Sequence, residues 1–378
     1  MGAAVHSDFN EDEMPDAANE IFAQLQQAGC LDLTRSDRQG NLIEIQLKLR
    51  QTGVQRLIPI ISKCSSLKKL SVSRTDFADS DLLSLLSLRD LEMLDLSQTA
   101  VSKRGFAELK NFPRLEYLVI DHTSQVDDET LGHIARINSL KELNIEGASV
   151  SDDGIAQLGR LKNLESLVLG NSATSSGIAY DEFLHLQHFS YLSAGHAITN
   201  EGLKTIGQLT NLTTLFLKGP ITDPGFRSLV RMKGLSSLAF RTTGSLSSEA
   251  WRTISELSGL QYLDLISNKI DDNVFEVFPK LTHLETLSLM DVPISKSRSD
   301  WLRQQLPKCH VGTDFPEEEK EETEDDEMVS LDFLPPFPFE IPLPEELDEW
   351  LIREGLAASE DQDTDKSTNA SEDPENGK

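Results

Sequence analysis

One leucine-spaced unit recurs ten times along this chain of 378 residues and limits what the chain can fold into. The copies begin at residues 67, 91, 115, 140, 164, 189, 212, 235, 260 and 284, at intervals of 23 to 25 residues. A unit of this length cannot bury its own leucines, so successive units must stack side by side. Such a stack presents a long open surface, which favours binding of another macromolecule.

Each unit contains two kinds of apolar spacing. In the unit that begins at Leu140, the residues Leu143 and Ile145 continue a two-residue alternation, which predicts a short strand with one buried face. Further on, Ile155 and Leu158 are three residues apart, as on the buried side of a short helix. The repeating element is therefore predicted to be one strand followed by one helix.

Helix starts are indicated by hydroxyl residues at Ser151, Thr199 and Thr222, each followed by an acidic residue within two positions. Glycines recur just inside these predicted helices, at positions 105, 154, 177, 202 and 225. Glycine destabilises a helix, so its recurrence predicts close backbone packing between neighbouring units.

The repeated pattern resembles the leucine-rich-repeat family, L-x-x-L-x-L-x-x-(N/C)-x-L, over roughly residues 42 to 311. The resemblance implies an α/β fold, a leucine-rich-repeat solenoid. Its curved parallel sheet would line the concave side of a right-handed arc, with short helices on the convex side. A threonine followed by V-(S/T)-D-x-G is similar to the intracellular bacterial type of repeat. The helical halves also resemble ribonuclease-inhibitor-like members.

One position departs from the family pattern. The residues at the asparagine position are Thr75, Thr99, Thr123, Ala148, Ser172, Ala197, Pro220, Thr243, Asn268 and Val292. Only Asn268 matches, so the asparagine ladder that the resemblance implies cannot run the full length. Threonine is expected to bond locally to the backbone instead.

The net charge of −28 is concentrated at the two ends of the chain. Residues 312–378 hold 24 of the 63 acids and 4 of the 35 bases, and residues 1–20 hold 6 acids and no base. Residues 21–311 therefore carry 33 acids and 31 bases and are nearly neutral. This distribution argues against nucleic acids and anionic membranes as partners.

Four segments are predicted. Residues 1–20 form an acidic disordered N-terminus, and residues 21–66 form an N-terminal cap of a helix and a hairpin. Residues 67–311 form the solenoid, whose last unit is covered by Trp301, Leu302, Leu306 and Val311. Residues 312–378 form an acidic, largely disordered tail.

The first 30 residues lack the apolar stretch of a signal peptide, and no run of 18 apolar residues occurs in the chain. The three cysteines, Cys30, Cys64 and Cys309, are scattered rather than clustered at the ends of the solenoid. These features predict a cytoplasmic protein.

The acidic tail is interrupted by an apolar, proline-rich and helix-patterned motif at residues 329–356. Its prominent apolar side chains are Phe333, Phe337, Phe339, Trp350 and Leu351. The motif could serve a second protein partner, or it could dock onto the solenoid of its own chain. A solubilising tail with incidental apolar residues is the third interpretation.

Alternation along each strand predicts that the third, fifth and seventh places of every unit share one exposed face. Seven residues in these places are the predicted protein-binding site: Tyr117, Tyr191, Phe216, Lys218, Arg241, Tyr262 and Asp264. Aromatic and arginine side chains dominate interface hot spots. The first half of the same face carries acids: Glu92, Asp95, Glu116, Asp121, Glu142 and Glu146. Alternatively, the tyrosines only raise strand propensity.

The sequence contains no phosphate-binding loop, no paired C-x-x-C and no G-x-S-x-G motif. His185 and His188, predicted on one helical turn, would make a poor zinc site without a third ligand. No enzyme activity, cofactor or metal is therefore predicted. The leading hypothesis is a protein-binding scaffold. The alternatives are an enzyme regulator that resembles ribonuclease inhibitor, a substrate adaptor of a ubiquitin-ligase-type or effector complex, and an acidic-tail binder of basic proteins such as histones.

Overall fold

The strands of the described residues form one sheet in which each strand pairs with the next one along the sequence. The computed structural model describes residues 21, 23–25, 27, 31–47, 52–170, 175–195, 197–242, 246–265, 270 and 272–315. The strands in these ranges are β1 (Leu31–Ser36), β2 (Leu42–Leu47), β3 (Lys69–Ser71), β4 (Met93–Asp95), β5 (Tyr117–Val119), β6 (Glu142–Asn144), β7 (Ser166–Val168), β8 (Tyr191–Ser193), β9 (Thr214–Gly219), β10 (Ser237–Thr242), β11 (Tyr262–Asp264), β12 (Thr286–Leu289) and β13 (His310–Thr313).

A short helical segment follows most of the strands. The α-helices with full bounds in the described ranges are α1 (Ile58–Ile61), α2 (Asp79–Ser84), α3 (Lys103–Phe106), α4 (Asp128–Ile134), α5 (Asp152–Leu158), α6 (Asn200–Ile206), α7 (Asp223–Phe226), α8 (Ser248–Arg252) and α9 (Lys296–Gln305). Further 3-10 helices span Val54–Arg56, Leu109–Asn111, Ile178–Phe183, Arg227–Arg231, Thr253–Glu256, Asp272–Val274 and Phe278–Lys280. Only about 24 residues are available for each unit, which leaves room for one to two helical turns.

The ten repeats place ten parallel strands, β3 to β12, in one continuous register. Leu94 pairs with Leu118, which pairs with Leu143, so equivalent leucines lie side by side. These three side chains are 0% to 1% exposed. The aligned leucines meet the apolar residues of the helical halves in one core that runs through the stack. The predicted solenoid of alternating strands and helices is confirmed.

Both ends of the stack carry elements that cover its core. At the front, β1 and β2 form an antiparallel hairpin, and β2 then pairs with β3 in parallel. At the back, Leu302 of α9 and Val311 of β13 are fully buried. Trp301 packs against the same core, and the Arg298 guanidinium lies 4.9 Å from the centre of its ring.

Threonine replaces the family's asparagine with short local hydrogen bonds. The Thr75 hydroxyl donates to the Val72 carbonyl at 2.6 Å, and the Thr99 hydroxyl donates to the Leu96 carbonyl at 2.7 Å. The expected local bonding of threonine is confirmed at these two positions. These two bonds stay within one repeat, whereas the Thr123 hydroxyl also accepts from the Gln98 N–H of the preceding repeat at 3.1 Å.

A row of carboxylates at the helix starts also connects neighbouring repeats. The Asp128 carboxylate accepts hydrogen bonds from the Ser151 hydroxyl at 2.6 Å and from the Ser151 backbone N–H at 2.8 Å. The same pair of bonds joins Asp79 to Ser102 and Asp223 to Ser247. We call this row the carboxylate ladder. It gives the helix starts at Ser102, Ser151 and Ser247 an acceptor from the preceding repeat.

Two of the three predicted helix caps form as expected. The Ser151 side chain accepts from the Asp153 N–H, and the Thr199 side chain accepts from the Gly202 N–H. Thr222 is the N-cap residue of α7, so this helix starts where predicted, but the Thr222 side chain makes no cap hydrogen bond. The Asn200 side-chain amide donates to the Thr222 hydroxyl at 2.7 Å and holds it toward the preceding repeat.

Close approach between repeats explains a recurring helix glycine. A Cβ atom on Gly202 would lie 1.9 Å from the Ser176 carbonyl oxygen. At Gly154 it would lie 2.2 Å from the Asp128 carboxylate, which belongs to the carboxylate ladder. Any larger residue at either position would push neighbouring repeats apart.

Candidate functional site

The register of the sheet decides which exposed side chains are neighbours. We use the name sheet face for the surface formed by the third, fifth and seventh places of the repeats. Its third-place row runs Lys69, Met93, Tyr117, Glu142, Ser166, Tyr191, Thr214, Ser237, Tyr262, Thr286 and His310. Neighbours in this row lie on adjacent strands, about 4.8 Å apart.

Tyr191 and Phe216 form the aromatic pair of the sheet face. Their ring centres are 5.7 Å apart and the rings are tilted by 38°. Both side chains are half-buried, and the neighbouring Leu192 and Leu215 are fully buried on the other side of the sheet. Burial raises the pKa of the Tyr191 phenol, with a smaller contribution from Glu146, so the ring stays neutral. The aromatic pair is a fixed apolar surface at the centre of the sheet.

Lys218 and Arg241 form the basic pair next to the aromatic pair. They are register partners on β9 and β10, two residues beyond Phe216 and Ala239 in their respective strands. Both side chains are half-buried. Like charges side by side on neighbouring strands repel each other. The two side chains give this part of the sheet face a positive charge.

Tyr262 and Asp264 lie on β11 and do not touch the aromatic pair. Tyr262 is separated from Tyr191 by three strand spacings, or roughly 14 Å. Its side chain is 41% exposed, and its hydroxyl donates to a Glu285 carboxylate oxygen at 3.1 Å. Burial raises the pKa of Asp264, with a smaller opposing contribution from its hydrogen bond with Ser288.

Small side chains fill the space between these two groups. Thr214, Ser237 and Ala239 lie between the aromatic pair and the β11 residues, and each is only 6% to 8% exposed. The larger neighbours therefore cover them. From β8 to β11 the sheet face therefore presents the aromatic pair, then small side chains, and then Tyr262.

Tyr117 lies on β5 in the acidic half of the sheet face, away from the aromatic pair. Its direct neighbour in the register is Glu142 on β6. Glu142 is half-buried, and burial raises its pKa to about 7, with a further contribution from the negative charge of Glu165. The sequence analysis included Glu142 among the acids but missed its proton uptake near neutral pH. The signal in the sequence is the spacing between Glu142 and Glu165. They are 23 residues apart, close to one repeat length, which places two acids on adjacent repeats.

Another buried carboxyl group lies further toward the N-terminal end. The pKa of Asp95 is raised, chiefly by burial, although its carboxylate accepts hydrogen bonds from the Ser71 hydroxyl at 2.8 Å and from the Ser97 N–H at 3.0 Å. Asp121 adds to the rise through its charge. In the acidic half of the sheet face, burial and neighbouring negative charges thus disfavour the ionised forms of Asp95 and Glu142.

The described residues contain no group of three or more His, Cys, Asp or Glu side chains placed to hold a metal ion. The prediction of one helical turn for His185 and His188 was wrong, because both lie exposed in turns after the 3-10 helix Ile178–Phe183. The helix before them is a short 3-10 helix, and it ends at Phe183, before either histidine. None of the helices in the described ranges has the length and apolar character that a membrane span requires.

The predicted tail motif with Phe333, Phe337, Phe339, Trp350 and Leu351 lies outside the described residues. The same is true of His196 and Ile266, which the repeat pattern puts near or on the sheet face. The role of the motif at 329–356 stays a prediction.

No protein-family model matches this sequence. No curated protein sequence matches it either. An internalin from Listeria monocytogenes has a similar structure, with a TM-score of 0.55 and 19% sequence identity over 82% of this chain and 97% of that chain. The leucine-rich-repeat ectodomain of the Arabidopsis receptor kinase HAESA is similar with a TM-score of 0.50 and 19% identity. That likeness covers 74% of this chain and 50% of the HAESA chain, so the chain spans about half of that ectodomain. At this level of identity the likeness concerns the fold, and the fold of this chain is a leucine-rich-repeat solenoid.

Proposed function

We propose that this chain is a non-enzymatic scaffold that captures a protein partner on its sheet face, with the aromatic pair at the centre of the contact. The observation that carries the proposal is the stacking of Tyr191 on Phe216 at 5.7 Å, with both rings half-buried. Two aromatic rings held by their neighbours lose little side-chain freedom when a partner covers them. Interface hot spots are rich in such anchors.

Charge around the aromatic pair supports a directional contact. The basic pair Lys218 and Arg241 lies on one side, and the acidic half of the sheet face with Glu142 and Asp95 lies on the other. A partner with the opposite order of charges would be oriented before it docks. The nearly neutral solenoid can thus be selective without a large net charge.

The known use of the fold agrees with this proposal. The HAESA ectodomain has been crystallised in complex with a peptide hormone ligand. For the present chain we propose likewise that the partner offers an extended segment, which can follow the row of exposed side chains from strand to strand. A segment of this kind needs no closed pocket.

The proposal can be tested by selecting binders from a random-peptide display library on the full-length protein. Affinities of the selected peptides are then measured for the wild type and for a Tyr191→Ala, Phe216→Ala double variant. We expect the double variant to bind at least about 30-fold more weakly, as loss of a hot spot of about 2 kcal/mol requires. Peptides that bind both proteins equally would contradict the proposal.

A matched control replaces two equally prominent apolar residues in the helical layer. Ile178 and Leu184 are 52% and 49% exposed, and their replacement by alanine should leave affinity unchanged. Folding is checked by thermal unfolding. Leu192→Ala, which removes a fully buried side chain, should cost about 2 to 5 kcal/mol, whereas the Tyr191 and Phe216 variants should cost clearly less.

A further inference from the structure

Glu142 lies between two tyrosines on the sheet face. The third-place row runs Tyr117, Glu142, Ser166, Tyr191 on four adjacent strands. Ser166 is small and only 4% exposed, so the side chains of Glu142 and Tyr191 cover it. The negative charge of Glu142 contributes to the raised pKa of Tyr191 and also to that of Tyr117. One carboxyl group therefore lies close to two aromatic rings.

Lys141, the base that precedes Glu142 in the sequence, forms its ion pair with a different residue. It donates to the Glu116 carboxylate at 2.6 Å. Among the described residues, no lysine or arginine forms an ion pair with Glu142 or Glu165. The charge of Lys141 lowers the pKa of Glu142, but burial and Glu165 outweigh it. Glu142 and Glu165 thus influence each other's charge, and neither forms an ion pair within the described residues.

We propose that this place on the sheet face binds one lysine or arginine side chain of the partner, with the cation on the Glu142 and Glu165 carboxyl groups and its stem against Tyr117 and Tyr191. The inference rests on the proposed function, since it names the chemistry of a residue that the captured segment must contain. The cation gains ion pairing with the carboxylates, and its apolar stem gains packing against the tyrosine rings.

The geometry also places this residue relative to the aromatic pair. Tyr191 belongs to both groups, so the cation site and the aromatic pair adjoin each other on β6 to β9. Glu142 and Phe216 are three strand spacings apart and are offset by two residues along the strands, which gives roughly 16 Å. An extended segment covers this span in about five residues. The partner segment is therefore expected to carry its basic residue about five positions from an apolar one.

Binding of the cation should be coupled to loss of a proton. Glu142 is partly protonated near pH 7 in the free protein, and a bound cation favours its ionised form. The other titratable groups around Glu142 are Glu165, Lys141 and the neutral phenols of Tyr117 and Tyr191. Glu116 pairs with Lys141, and Glu146 acts on Tyr191. Affinity should therefore rise about tenfold between pH 6 and pH 8.

The experiment uses histidine-free peptides obtained by the display selection, synthesised with acetylated and amidated ends and titrated calorimetrically into full-length protein. We expect a recurring lysine or arginine. Replacement of an arginine by citrulline, or of a lysine by norleucine, should weaken binding at least tenfold. The same replacement should have little effect on Glu142→Gln protein, which should also lose the pH dependence. Glu182→Gln, an exposed site in the helical layer, serves as the matched control.

The outcomes separate this inference from the proposed function. Peptides that need Tyr191 and Phe216 but tolerate loss of every basic residue would overturn the cation site and leave the scaffold intact. A selection without any peptide that depends on the aromatic pair would overturn both. If the Glu142→Gln variant fails to fold, an NMR titration of wild-type Glu142 decides. Its pKa should fall on peptide binding, and an unchanged value would overturn the inference.

Discussion

The Ser151 hydroxyl donates a 2.6 Å hydrogen bond to the carboxylate of Asp128, a residue of the preceding repeat. The Ser151 backbone N–H donates to the same carboxylate, and Ser151 in turn caps its own helix. This contact repeats along the helical layer as the carboxylate ladder. It ties adjacent repeats at the helix starts, whereas the asparagine-position threonines Thr75 and Thr99 bond within their own repeats.

Asp128→Ala should therefore destabilise the solenoid. The substitution leaves the Ser151 hydroxyl and N–H without their acceptor, which costs about 1 to 3 kcal/mol. The measurement is the urea-unfolding midpoint followed by circular dichroism. Asp153→Ala, at an exposed position on the following helix, provides the control and should change the midpoint little. Equal midpoints for the two variants would show that the ladder does not contribute to stability.

The carboxylate ladder should also make the protein sensitive to acid. Hydrogen bonds from the Ser247 hydroxyl and N–H lower the pKa of Asp223. For Asp152, burial raises the pKa, but hydrogen bonds from Ser176 and the neighbouring N–H groups outweigh it and leave the pKa lowered. These ionised groups stabilise the fold above the unfolded-state pKa of about 3.9, and the stabilisation is lost as the pH falls through the lower folded-state values.

Thermal unfolding between pH 6 and pH 2.5 measures this effect. We expect the midpoint to fall steeply below about pH 4. Asp223→Asn keeps one acceptor oxygen and cannot titrate, so it should reduce the acid sensitivity while lowering stability at pH 6. A variant with the same pH profile as the wild type would exclude Asp223 as a contributor.

Gly202→Ala should be among the most damaging small substitutions in the helical layer. Its Cβ would lie 1.9 Å from the Ser176 carbonyl oxygen, so one of two packed backbones must move. Such overpacking typically costs about 1 to 3 kcal/mol or more. Gly234→Ala is the matched control, because its nearest described atom, the Thr210 carbonyl oxygen, would be 3.7 Å away. Comparable thermal midpoints for the two variants would contradict the close packing.

Glu142→Gln should change how stability depends on pH. The folded protein raises the pKa of Glu142 to about 7, so its contribution to stability is fully present below the unfolded value and is lost as the pH rises through 7. The Gln variant cannot titrate and should avoid that loss. We expect it to gain on the order of 1 to 2 kcal/mol over the wild type between pH 5 and pH 8, a figure reduced for the exposed part of the side chain. Urea unfolding at the two pH values measures the difference.

Most of the fold could be predicted because the repeat is redundant. Ten aligned copies of L-x-x-L-x-L define which face of each strand is buried, and Leu94, Leu118 and Leu143 are aligned as predicted. A helix-cap hydrogen bond is harder to predict, because one hydroxyl can bond either to its own helix or to a neighbouring repeat. Thr199 caps its helix, whereas Thr222 accepts from Asn200 of the preceding repeat. Sequence spacing alone does not separate these two outcomes.

The sequence by itself determined the period, the strand and helix halves, and the membership of each row on the sheet face. Those properties follow from backbone geometry, which every repeat shares. Only the tertiary structure decided that Tyr191 stacks on Phe216 while Tyr262 lies three strands away, and that Glu142 retains a proton near pH 7. Contact and charge at each position depend on the direction, size and burial of side chains from several strands at once, and no single repeat contains that information.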